Sequence, residues 1–85
     1  MNKNKDFYEI EYINLGFAIS YYRKRAGMTQ KELASKIGIS RQHLGAIEAP
    51  KMIRAVSLTS IFLIAEALNI EPYKLLKFSP ESSLS

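Results

Sequence analysis

Four residues near the middle of the chain, Arg41, Gln42, Gly45 and Ala46, form the group with the clearest chemical use. Arginine presents a rigid fork of donors, and glutamine sets a donor and an acceptor side by side. Beside two very small residues at the start of a helix, that pair suits close approach to the major groove of DNA. There arginine donates two bonds to guanine O6 and N7, and glutamine pairs with adenine N6 and N7. Gly45 and Ala46 add no such bonds, and their part is clearance. A plain surface glycine is the alternative at Gly45, at a cost of ~1 kcal/mol against alanine inside a helix. His43, the single histidine, fits either a flanking base or phosphate or an ordinary surface position.

Other chemistry finds little support. One histidine forms neither a metal site nor a triad by itself, and no cysteine is present for a thiolate site or a disulfide. The chain shows no nucleophile–base arrangement, no carboxylate pair in an expected cleft and no phosphate-cradling glycine loop, so an enzyme is not expected, nor a cofactor. The five tyrosines and four phenylalanines do not make the spaced platform of a single-strand binder.

The reading group must be held by a pair of short helices. Thr29 is a good N-cap, and Glu32 three residues on completes a capping box. Leu33, Ala34 and Ile37 then share a face, and Gly38 suits a left-handed helix end. Ile39 points back to the core, Ser40 caps the next helix, and Leu44 and Ile47 face inward. The second helix is expected over residues 30–37 and the third over 41–48. Thr29, Gln30 and the first amides of the third helix suit phosphate. Lys24, Lys31, Lys36, Lys51 and Arg54 are candidate phosphate contacts that give affinity without reading sequence.

The rest of the chain supplies a core. A first helix is expected over residues 14–25, with Asn14 as its cap, Leu15, Ala18, Ile19 and Tyr22 inward, and Phe17 and Tyr21 on a second apolar edge. Ala26-Gly27 ends it, Met28 plugs the core, and Arg23, Lys24 and Arg25 suit the helix dipole. Ahead of it, residues 1–13 read as a partly disordered arm. Tyr8, Ile10 and Tyr12 alternate with Glu9 and Glu11 as in a strand, whereas Phe7, Ile10 and Asn14 fit a helical turn. After residues 50–56, a loop with Lys51 and Arg54, Ser57 caps a fourth helix over 58–68. Its expected core residues are Leu58, Ile61, Ile64, Ala65 and Leu68, with Phe62 near the edge and Asn69 ending it. Pro72 opens a fifth helix over 72–77 that Leu75 and Leu76 tuck down. Residues 79–85 read as a flexible tail.

At 85 residues and 47% hydrophobic composition, this is one small domain (residues 14–78) with an arm and a tail. No apolar run approaches the ~18 residues of a membrane span, and no secretory signal is seen, so the cytoplasm is the expected compartment. The net charge of +4 is unevenly spread: residues 23–54 hold eight basic side chains against two acidic ones. That field points to a polyanion, although by itself it also fits a solvated basic face.

The segment from Gln30 to Glu48, QKELASKIGISRQHLGAIE, resembles the helix-turn-helix of phage repressor and Cro-type (XRE-like) DNA-binding domains. The Arg23…Gly27-Met28-Thr29-Gln30 segment is similar to the family's first helix ending. Ser57 to Leu68 and Leu75-Leu76 are similar to its last two helices. The resemblance implies a compact, all-α, five-helix lambda-repressor-like domain and a sequence-specific regulator of transcription. Such a regulator acts as a repressor reading double-stranded DNA as a homodimer. It also implies an ion pair between Arg23 and Glu48, with Gln30 against phosphate and bracing the third helix. Arg41 and Gln42 would enter the major groove, Ala46 would meet the groove floor, and Lys51 and Arg54 would reach phosphates or the minor groove. Two positions depart from the pattern: Pro50 stands where glycine is usual and Ala18 where a basic residue is common. Some family members are antitoxins, so a toxin or other protein partner is the alternative.

Overall fold

The computed structural model describes residues 2–49 and 56–77, with side chains from Glu9 onward. Five helices follow one another: α1 (Asn2–Arg25), α2 (Gln30–Ile37), α3 (Arg41–Glu48), α4 (Leu58–Leu68) and α5 (Pro72–Lys77). No strand occurs among the described residues. Packing is pairwise: α3 lies against α1 and α2, α2 against α4, and α5 against α1 and α4.

Three helices close by the same device. Gly27, Gly38 and Asn69 adopt left-handed backbone with φ of 75°, 78° and 57°. Around each, two backbone bonds recover carbonyls that the helix leaves open: Met28 N to Arg23 O, Ile39 N to Ala34 O and Ile70 N to Ala65 O are the longer-range ones. The residue after each left-handed position (Met28, Ile39, Ile70) is apolar and packs against the core. Each stop therefore also adds a core contact. Starts are equally regular, with Thr29, Ser40 and Ser57 each accepting a backbone N–H three residues on.

The core holds Leu15, Ala18 and Ile19 from α1, Leu33 and Ala34 from α2, Leu44 and Ile47 from α3, four residues of α4, and Leu75. Tyr22, Met28 and Ile37 pack against its margin.

Three sequence expectations need correction. The first helix begins at Asn2, and Asn14 lies inside it as an ordinary half-buried residue. Tyr12 packs on the core one turn before Leu15, so the inward stripe runs through Asn14 without a break. Leu58, expected in the core, is 62% exposed, as is Leu76 at 58%. Leu58 opens α4, ahead of the stripe set by Ile61, Ile64, Ala65 and Leu68. In the single turn and a half of α5, Leu75 takes the buried direction, and Leu76, ~100° further round, faces out. The loop with Pro50, Lys51 and Arg54 and the 79–85 tail lie outside the described residues.

Candidate nucleic-acid interface

The helix that carries the candidate reading residues is fixed from below. Leu44 and Ile47 are buried, and Ser40 Oγ accepts from His43 N at 2.9 Å. Arg41, Gln42 and His43 are exposed on the other side, while Gly45 and Ala46 are half-buried. One short helix thus has an apolar underside and a polar leading edge.

Its N-terminal neighbour is built as tightly. Thr29 Oγ1 accepts from Glu32 N at 3.0 Å, and Thr29 N donates to Glu32 Oε1 at 2.8 Å. The bond from the Thr29 backbone, then the Thr29 side chain, and the charge of Lys36 one turn on hold the Glu32 carboxyl below the usual carboxylate range. Lys31 and Lys36 are exposed on the same helix.

A chain of polar contacts joins the two helices to α1. Arg23 and Glu48 are 7% and 8% exposed and meet as a fork: Nε to Oε2 at 2.8 Å and Nη2 to Oε1 at 3.0 Å. The third guanidinium nitrogen, Nη1, donates to Met28 O at 2.8 Å. Glu48 Oε1 also accepts from Gln30 Nε2 at 3.0 Å, and Gln30 Oε1 accepts from Arg41 Nη1 at 3.2 Å. No buried side-chain nitrogen or oxygen among the described residues lacks a partner. A buried charge pair is tolerable only under that condition.

The structure therefore brings Thr29, Gln30, Arg41, Gln42, Gly45 and Ala46 together along α2 and α3, with Arg23 and Glu48 beneath. Lys51 and Arg54 fall outside the described residues. Gly45 turns its open side toward Gln30, where an added Cβ would stand 3.5 Å from Oε1.

One residue escaped the sequence reading. At Gly16 in α1 an added Cβ would lie 2.5 Å from Ile47 O and 3.3 Å from Glu48 Cα. Only glycine lets α1 and the end of α3 approach this closely. The available signal was a glycine inside a strong helical pattern, which usually has a packing reason.

Two short capped helices around a left-handed glycine, with one face buried and a polar edge free, define a helix-turn-helix domain. The helix-turn-helix family model HTH_3 matches residues 19–75. No curated protein matches the chain. Among solved structures, one similar chain is the restriction-modification controller protein C.AhdI from Aeromonas hydrophila. It is 33% identical with a TM-score of 0.72, over 79% of this chain and 94% of that one. Another is a hypothetical transcription factor, NHTF, from Neisseria, 28% identical with a TM-score of 0.75, over 87% and 82% of the two chains. The protein belongs to the XRE-type helix-turn-helix family and is a DNA-binding transcription regulator. Most of α1 precedes the segment that the family model matches.

Proposed function

We propose that this regulator is a repressor that reads a short operator with α3 in the major groove, as a homodimer. The observation that carries the reading is the exposure of Arg41 and Gln42 on a helix anchored by buried Leu44 and Ile47. Arg41 suits guanine and Gln42 suits adenine. Ala46 lies one turn on from Gln42 and suits a thymine methyl group. Thr29, Gln30, Lys31, Lys36 and His43 surround the reading edge with donors for phosphate oxygens. Lys51 and Arg54, between α3 and α4 in sequence, extend the basic run.

One such helix reads only a few base pairs, so two copies on half-sites one turn apart give a site of useful length. An apolar groove between α1, α4 and α5 supports pairing with a second copy. Tyr12, Leu15, Val56, Leu58 and Leu76 line it, and Leu58 and Leu76 are largely exposed there. None of its lining residues belongs to α2 or α3, which leaves both reading helices open in a dimer. Occupying an operator that overlaps a promoter is sufficient for repression.

Selection of bound duplexes from a random DNA pool tests the reading. The expected outcome is enrichment of one sequence with two-fold symmetry and half-sites a helical turn apart. A folded protein that enriches no sequence at low salt would overturn it.

A further inference from the structure

Helix α1 is apolar on two sides. Its inward stripe, with Leu15, Ala18, Ile19 and Tyr22, packs with the rest of the domain. Ile10, Phe17 and Tyr21 are 58%, 38% and 45% exposed. They stand seven and four residues apart. At about 100° per residue, that keeps them within about 40° of one another, on the side of α1 away from Leu15. A surface helix normally turns charged and polar residues to that side. Single apolar residues on a surface need no explanation, whereas an aligned group marks a contact. Ile10 and Phe17 precede residue 19, where the family match begins, so the stripe is no part of what that model describes. The groove between α1, α4 and α5 meets α1 through Glu11, Tyr12 and Leu15, and no stripe residue lines it. The two faces can therefore be covered at the same time. Charge selects the occupant of the second. From Glu9 onward, α1 carries Glu9 and Glu11 toward its start and Arg23, Lys24 and Arg25 in its last turn. Arg23 is buried with Glu48, while Lys24 and Arg25 are exposed. A second α1 running the other way sets each acidic end beside a basic one, whereas a parallel copy sets like charges side by side.

We propose that the outer stripe of α1 is a docking surface for the same stripe of a second copy, with the two helices antiparallel. A two-fold axis across the helix generates this arrangement and makes the contact self-complementary. With Ile10 of one copy opposite Tyr21 of the other, Phe17 lies close to the axis. Glu9 of one copy then stands about 3 Å, measured along the helices, from the level of Lys24 of the other. Pairing removes the stripe from water, the same driving force that packs the inward side. The contact does not depend on the groove being occupied. Where the groove also pairs, it joins two dimers into four copies, and no residue of α2 or α3 belongs to the stripe.

Sedimentation equilibrium of the full chain over a concentration series tests this. Wild type is compared with Phe17→Glu on the stripe, with Leu76→Glu in the groove, and with both together. Wild type should reach four copies, each single variant two, and the double variant one. Phe17→Glu should weaken its association step by about thirtyfold, as for one buried aromatic anchor. Direction is read from charge. Glu9→Lys and Lys24→Glu should each weaken the same step about threefold, and the two in one chain should restore it. A Phe17→Glu protein with the wild-type mass at every concentration would overturn the proposal, whatever Leu76→Glu does. Charge variants whose losses add rather than cancel would overturn the antiparallel pairing. If Phe17→Glu loses helical content, the charge pair decides alone. If Leu76→Glu leaves the mass unchanged while Phe17→Glu lowers it, groove pairing is what has failed, and the α1 contact stands.

Discussion

Helix α3 is held on two sides, and the two contacts are built on opposite terms. Toward α1 it meets Gly16 backbone to backbone, with no room for even a methyl group. Toward α2 it meets Gln30 through a carboxamide lying over Gly45 at ordinary van der Waals distance. The first contact is buried and fixes where α3 lies. The second is part-buried to exposed and carries the bonds from Gln30 to Glu48 and from Arg41 to Gln30. Two glycines on α1 and α3 therefore do different work: one permits close approach of backbones, the other seats a side chain. A single short helix can be rigid beneath and finely adjusted at its edge because these tasks fall to separate neighbours.

The largest effect is expected at the buried pair that closes the α1 side. Glu48→Ala leaves the Arg23 guanidinium buried without its partner and should destabilise the fold by ~3–5 kcal/mol. Denaturant melts measure this, and a loss below ~1 kcal/mol would place the pair among surface bridges of little weight. Gly16→Ala comes next. Alanine gains ~1 kcal/mol in helix propensity, yet its Cβ meets the Ile47 carbonyl, so a net loss of ~1–3 kcal/mol is expected from overpacking. A more stable Gly16→Ala protein would erase the contrast between the two sides.

The α2 side should yield to acid. The Glu32 carboxyl is held below the usual range by the Thr29 backbone bond first, then by the Thr29 side chain and Lys36. A depressed folded-state pKa gives stability that is present above the unfolded value and is lost as pH falls through the folded one. Between neutral pH and about pH 3, the melting temperature of Glu32→Gln should therefore fall less than that of the wild type. Parallel curves for the two proteins would contradict the capping role. The smallest effect is expected at Gly45→Ala, where the new methyl group fits and helix propensity improves. Stability should rise by up to ~1 kcal/mol with base preference kept. Altered preference there would mean that the glycine gives clearance to DNA rather than a seat to Gln30.

Much of this was legible in the residues, for a physical reason. Thr29, Gly38 and Ser40 are caps whose partners lie within a few residues, and the stripes of α2 and α3 repeat at short spacing, so local rules suffice. The same holds for Ser57, Asn69 and Pro72 around α4 and α5. The start of α1 was misread because Asn14 resembles a cap, whereas Tyr12, packed on Leu15's side of the helix, carries the stripe past it. Leu58 and Leu76 were misplaced because apolar character does not reveal which direction a helix end faces. In the site, the exposed edge of Arg41 and Gln42 follows from periodicity. The link from Arg41 through Gln30 to Glu48 does not, since it spans separations of 11 and 18 residues and exists only once α2 and α3 have crossed. The Arg23–Glu48 pair came from family resemblance, because nothing local joins residues 25 apart.

The central claim is that the free edge of α3 reads sequence while its underside belongs to the fold. The direct measurement is the affinity ratio between the enriched duplex and an unrelated one, for wild type and for the double variant Arg41→Ala/Gln42→Ala at one salt concentration. Two lost base contacts, each worth ~1–3 kcal/mol, should reduce that ratio by about a hundredfold while helical content and melting temperature hold. A folded double variant that keeps the wild-type ratio would contradict the claim.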